Sequence, residues 1–297
     1  MVPNIKYYVV TVASIFLALG IGIFMGFMLD AQGLVSSQKD DIVNQLEAKF
    51  DELKQQSENT KQDMELIKAK NEQINAFLQD AYPLLVKDAL AGRNIAIVGV
   101  NGDYNYSDVV EGLELAGAKV GSVTNIKGSI SEDEDAIRAI YKEIVGVDFE
   151  GELYDMISSE LVSTLSRGEK SQVIDRLVQE GYVAMSGSYE VAVDSIVLTG
   201  GSKVENEQSA KLSKSLVDKI KEMGKMAAGI ERSDVQISQI EDYKSYRISS
   251  VDNVETALGK TSLVLVLRGI SGNYGVKDTA TGVYPELDSL MENQGGL

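Results

Sequence analysis

Few side chains in this sequence could do chemistry, and the methionines come first among them. Met223 and Met226 lie one helical turn apart, as do Met25 and Met28. A thioether is a soft donor that suits Cu(I), while Cu(II) prefers imidazole. The chain contains no Cys and no His, so methionine is the soft ligand that remains. Pairs at this spacing are more often packing residues than ligands, and Met223 and Met226 are weak metal candidates for that reason. The acidic run Glu132-Asp133-Glu134-Asp135 is a second candidate, for a hard cation. It lacks the alternating ligand spacing of a Ca²⁺ loop, and acidic residues at a helix start are stabilised by the macrodipole in any case. The loop Gly99-Val100-Asn101-Gly102-Asp103 stands where a phosphate cradle would stand. It has neither GxGxxG nor GxxxxGK[ST] spacing, and Asp103 would repel phosphate. A plain turn is the better account.

What is missing narrows the function classes. Without Cys there are no disulfides, thiolate metal sites or cysteine nucleophiles. Without His there is no Ser-His-Asp arrangement and no imidazole zinc site. A net charge of −17 opposes nucleic acid and anionic headgroups. The residues therefore point to a non-enzymatic protein with no catalytic set, no evident cofactor and no nucleic-acid partner.

The elements that would position any site begin with a membrane segment. Residues 7–29, from Tyr7 to Leu29, carry no charge and are bounded by Lys6 and Asp30. As a helix they rise about 35 Å, enough for a hydrocarbon core of roughly 30 Å. The segment is longer than a signal-peptide core, although Ala31-Gln32-Gly33 could serve as a cleavage site. Lys6 sets a small positive-inside bias, with residues 1–6 as a cytoplasmic tail of a single-pass plasma-membrane protein and the rest outside. Ser14, Ala18, Gly22 and Gly26 form a stripe of small residues, including a GxxxG, that lets two membrane helices approach closely.

Residues 34–82 hold no Pro, and heptad positions can be counted through them. The a positions are Val43, Phe50, Ser57, Met64, Asn71 and Leu78. The d positions are Leu46, Leu53, Thr60, Ile67, Ile74 and Ala81. Most are apolar, which predicts a coiled-coil stalk about 70 Å long, weakened at Ser57 and Thr60. Asn71 is either a register-setting polar residue or a defect. The alternative for the whole segment is an amphipathic helix folded back on its own domain. Pro83 is expected to stop the helix.

Residues 93–297 read as an extracytoplasmic α/β domain. Asn94–Val100 is a buried-strand run, Asp103–Ala116 a helix, and Gly117–Val120 enters a second strand, which makes a βαβ unit and a parallel sheet of Rossmann-like type. Ser131–Glu134 looks like a capping box opening a helix over 132–145. Further helices are expected at 151–166, 169–180 and 205–223, and strands at 194–201 and 227–230. The apolar run 263–267 is compatible with helix or strand.

Two blocks near the end carry a resemblance. They are Val251-Asp252-Asn253-Val254, with Gly259 just after, and Gly272-Asn273-Tyr274-Gly275. With the lead Ile5-Lys6-Tyr7-Tyr8, the membrane segment and the stalk, the chain resembles the MctB-like family, described as mycobacterial copper transport outer-membrane proteins. The likeness covers nearly the whole chain. It implies copper transport or homeostasis at the cell envelope, and copper enters only with it. The chain is also similar to a corynebacterial relative, SteB, which implies the alternative of a scaffold that works with an envelope or cell-division partner to regulate a peptidoglycan hydrolase. The resemblance implies no catalytic or ligand residues. Asp252 and Asn253 are read either as a partner-binding or sheet-edge site or as a cap or turn. One apolar helix cannot by itself make a pore, so the expectation is a membrane-anchored homodimer paired through its membrane helix and coiled coil.

Overall fold

A computed structural model describes residues 5–286, leaving aside the side chains of residues 30–41. Four of the six residues expected as a cytoplasmic tail, 1–4, lie outside this range. The chain divides into two compact units, Met1–Glu72 and Gln73–Leu297.

The first unit is helix. α1 covers Ile5–Leu85 and so reaches into the second unit. Its Ile5–Leu29 part is long and apolar enough to cross a membrane. The expected stop at Pro83 is displaced, since α1 runs to Leu85 with Pro83 inside it. Proline removes one backbone donor and crowds the carbonyl four residues back. Its cost is small here because the helix ends within a turn. Val86 N–H then donates to the Tyr82 carbonyl at 3.1 Å.

The second unit is a doubly wound α/β fold. Its strands are β1 (Asn94–Gly99), β2 (Lys119–Ile126), β3 (Val183–Gly187), β4 (Ser195–Thr199), β5 (Met226–Ile230), β6 (Ser249–Val251) and β7 (Asn273–Tyr274). They form one seven-stranded sheet in the order β3-β2-β1-β4-β5-β6-β7. Every neighbouring pair is parallel except β2–β3. The helices are α2 (Ser107–Leu115), α3 (Glu134–Val145), α4 (Leu153–Arg167), α5 (Gln172–Gln179), α6 (Glu207–Glu222), α7 (Ile240–Ser245) and α8 (Ala257–Leu267).

Strand alternation splits the core in two. Ala96 and Val98 of β1, with Ile196 and Leu198 of β4, face a layer that contains α3 to α7. Ile95, Ile97 and Val197 face the other layer, made by α2, α8 and the Tyr82–Leu90 segment. Both faces are covered, so the strands read as continuous apolar runs. An open, mostly parallel sheet covered by helices is not a transmembrane barrel, which needs closed antiparallel strands.

Three local expectations change. Ser131 does not cap α3. It closes a 3₁₀ turn, Gly128–Ser131, and its hydroxyl lies 2.7 Å from Gln208 Oε1. α3 starts later, at Glu134, with no side-chain cap. α2 starts at Ser107 instead of Asp103, because Asn101 and Asn105 use their side-chain carbonyls to close turns on Asp103 N–H and Ser107 N–H. The 263–267 run is helix. Thr256 caps it by accepting from Gly259 N–H at 2.9 Å, and the helix is buried around most of its girth, so no amphipathic period shows.

Candidate functional site

The two motif blocks meet at the carboxyl ends of β5 and β6. Val251 is the last residue of β6, and Asp252 follows it with its side chain fully buried. Both oxygens of that carboxylate accept backbone donors, Val276 N–H at 2.7 Å and Lys277 N–H at 3.1 Å. The backbone adds a second tie, with Asp252 N–H donating to the Tyr274 carbonyl at 3.0 Å. Gly275 is glycine for a visible reason. Its φ is +145°, and a Cβ there would stand 2.0 Å from Asp252 Oδ1. Gly272 makes room for the ring of Tyr274, whose hydroxyl donates to the Ser271 carbonyl. The VDNV and GxYG blocks are thus two halves of one junction.

Asn253 lies buried beside it. Its carbonyl accepts from Thr256 N–H and from the Thr256 hydroxyl, which sets the start of α8. A Cβ on Gly259 would meet that same carbonyl oxygen at 2.1 Å, so helix and motif loop approach too closely for any other residue. Val254 is buried, and its N–H donates to the carbonyl of Glu231.

Glu231 is the residue that sequence reasoning missed. It is fully buried at the end of β5. Its carboxylate accepts the Ser238 hydroxyl at 2.6 Å, Gln239 N–H at 2.9 Å and the ammonium of Lys277. Lys277 is thereby held twice, by its N–H on Asp252 and by its side chain on Glu231. A charge directly after the apolar run 226–230 was the available signal, since a buried acid at a strand end needs a partner. Two tyrosines feel this charge. Burial, with Glu231 nearby, raises the phenol pKa of Tyr106 and Tyr243 well above the ordinary value. Tyr106 donates its O–H to the Gly200 carbonyl at 2.7 Å.

The same carboxyl edge holds a cleft of about 600 Å³ between the loop after β1 and the ends of β2 and β4. Its polar lining includes Asp103, Tyr104, Asn125 and Thr199. Chain order reverses between β1 and β4, which is where doubly wound sheets bind ligands.

The remaining predicted residues fall elsewhere. Met223 follows α6 and packs against the core layer of α3 to α7, while Met226 begins β5 and packs against the opposite layer. They do not share a helix face, so the one-turn spacing does not bring them together. Met25 and Met28 are exposed on α1. Among the described residues no cluster of acidic side chains could hold a metal ion. Ser14, Ala18, Gly22 and Gly26 are exposed on α1, and nothing lies within 4 Å of a Cβ built on either glycine. Of the heptad residues, Leu46, Phe50, Leu53, Met64, Ile67, Asn71 and Ile74 are exposed, and Leu78 is half-buried.

No curated protein sequence matches the chain. A family model described as copper transport outer membrane protein, MctB, matches residues 1–285, a span running through both motif blocks, and the chain belongs to that family.

Proposed function

We propose that this protein is a non-enzymatic, membrane-anchored envelope component that serves copper transport or homeostasis as a parallel homodimer. The family match over residues 1–285 carries this reading. The apolar helix Ile5–Leu29 supports the anchor. Lys6, just ahead of the charge-free residues 7–29, supports a cytoplasmic N-terminus with the α/β unit outside. Copper is cargo here, not a resident cofactor. Among the described residues the Met223–Met226 pair does not fit a tight copper site, because the two thioethers pack on opposite faces of the sheet. The protein accordingly acts by holding or organising a transport partner at the membrane. A deletion strain grown over graded copper tests this. Growth should fail at lower copper than in the parent and recover with the full chain. Unchanged copper tolerance together with unchanged cell copper content would sink the proposal.

A second reading rests on the exposed seam of α1, where Phe50 is 70% and Leu53 61% accessible in the single chain. Such a seam suits a scaffold that positions a peptidoglycan hydrolase, in the manner of the cell-separation relative. Chained, unseparated cells on deletion would favour this reading, and normal septation would remove it.

A further inference from the structure

We propose that the cleft at the carboxyl edge of the sheet binds a short neutral saccharide. The register supplies the first argument. Gly99 ends β1 with Asn125 of β2 paired on one side and Thr199 of β4 on the other. A Cβ at Gly99 would stand 2.1 Å from Asn125 Oδ1 and 3.1 Å from Thr199 Oγ1. The glycine after this strand run is therefore not a phosphate turn. Its missing side chain leaves room that the Asn125 carboxamide fills, with the Thr199 hydroxyl beside it. Neither group has a hydrogen-bond partner among the described residues. Their pairing needs have to be met from the cleft.

The rest of the lining fits that pair. Ile97, Val123 and Val110 give an apolar floor. Tyr104 and Tyr106, both half-buried, supply aromatic walls. Tyr106 is fixed by its bond to Gly200, and the Tyr104 hydroxyl accepts Gln236 N–H at 3.1 Å. The hydroxyls of Ser107 and Ser186 also lack partners among the described residues. An apolar floor, ring faces and a rim of neutral donors and acceptors match a pyranose, which has a C–H face and outward hydroxyls. The volume of about 600 Å³ lies inside the roughly 300–1,000 Å³ of small-molecule sites.

Charge decides against the other ligand a doubly wound fold suggests. Among the described residues the only charged side chain in the lining is that of Asp103. One of its oxygens accepts Lys203 N–H at 3.0 Å, which leaves the other for a hydroxyl donor. Asp108, paired with Lys260 at 3.3 Å, already occupies the first turn of α2, the helix end that would attract phosphate. The nearby Lys203 ammonium lies over the Tyr104 ring, 6.0 Å from its centre. A nucleotide would bring its phosphates against Asp103 with no lining cation to meet them.

This inference stands on the cleft alone and is independent of the copper reading. Its test uses the full chain in lipid nanodiscs, titrated by calorimetry with N,N′-diacetylchitobiose, cellobiose, AMP and inorganic phosphate. At least one disaccharide should bind saturably, and AMP and phosphate should not. Asn125→Leu and Thr199→Val should each weaken that binding about tenfold or more, since a good site pays heavily for an unpaired hydroxyl. Tyr104→Ala, at the rim, serves as a third variant should either buried change disturb folding, and near-ultraviolet circular dichroism checks each. Absence of saturable disaccharide binding, competition by AMP or phosphate, or unchanged affinity in the folded variants would overturn the proposal.

Discussion

Leucine and isoleucine meet opposite fates in the two units of this chain. In the α/β unit Leu161, Leu165, Ile174 and Ile196 are fully buried. On α1, Leu46, Leu53 and Ile67 are 64%, 61% and 58% accessible. The side chains are the same, and each apolar atom removed from water is worth the same roughly 25 cal/mol per Å². The difference is who supplies the other surface. Strand alternation and helix periodicity answer one another inside the α/β unit, so it closes on itself. Along α1 the apolar residues at heptad spacing from Val43 to Ile74 stay exposed among the described residues. On the reading proposed above, a bilayer covers the apolar surface over Ile5–Leu29 and a second helix covers it over residues 43–78. On that reading one region buries its own apolar surface, and the other takes a partner to bury it.

The largest expected effect tests the completeness of the α/β unit. Glu231→Gln leaves the Lys277 ammonium half-buried without its carboxylate. Breaking a buried ion pair from one side costs about 3–5 kcal/mol, so the thermal transition of the α/β unit should fall steeply. The double variant Glu231→Gln, Lys277→Met should recover much of the loss, because no lone charge is left. A single variant that melts with the parent would show that the pair is not structural. The next effect comes from the motif glycines. Gly275→Ala forces a Cβ against the Asp252 carboxylate in a backbone conformation strained for any side chain, and should cost about 2–3 kcal/mol or more. Gly259→Ala, pressed against the Asn253 carbonyl, belongs in the same range. Neither change should alter association through α1.

The converse variants address the incomplete region. Leu53→Cys introduces the sole thiol into a chain that has none. A parallel coiled coil places the two d positions close enough for a disulfide. Mild oxidation of membranes should then give a covalent dimer on a non-reducing gel, and Phe50→Glu in the same background should abolish it. The α/β unit should melt unchanged in both. Failure of Leu53→Cys and of a second d-position variant, Ile67→Cys, to cross-link would mean that the seam faces some other partner. Gly22→Leu probes the small-residue stripe in the same way and should weaken the cross-link less, since the heptads remain.

How much of this was legible in the sequence follows the same division. The membrane segment and the helix after it announce themselves by charge-free length and by period. The buried strands β1 and β4 show as apolar runs ended by glycine, and β5 as a short apolar run ended by the charge of Glu231. What escaped were features that depend on meeting a distant segment. β3 has a weak pattern, Val-Ala-Met-Ser-Gly, and forms because β2 offers it an edge. The helix α8 hides its period by being buried nearly all round. Asp252 stood out as a motif residue, but its partners at 276 and 277 could not be read from spacing. Glu231 and Lys277 are far apart in sequence and meet only in the fold. The Met223–Met226 pair shows the reverse case, since a helical spacing carries no meaning where the helix has ended before both residues.

The smallest effect separates the regions by pH. Burial is the first cause that raises the phenol of Tyr246, followed by the nearby Asp242 and Asp218, to about 12. Burial also raises Tyr82, Tyr106 and Tyr243. For each, the folded state keeps the proton after the unfolded chain, at about pH 10, has begun to lose it. The stabilisation is therefore whole below pH 10 and drains away as pH climbs through the folded values. The α/β unit should lose stability above about pH 10, read as a falling melting temperature. The seam over residues 43–78 contains no tyrosine, so the Leu53→Cys cross-link has no phenol of its own to titrate. Tyr246→Phe sharpens the point. It removes the hydrogen bond to the Ala210 carbonyl and should cost about 1 kcal/mol or less at neutral pH. It should also flatten the loss between pH 10 and 12 slightly, because Tyr246 is partly open to solvent and its share is small. An alkaline profile identical in slope to the parent's would assign the whole effect to the other tyrosines whose phenols burial raises, Tyr82, Tyr106, Tyr189 and Tyr243 foremost.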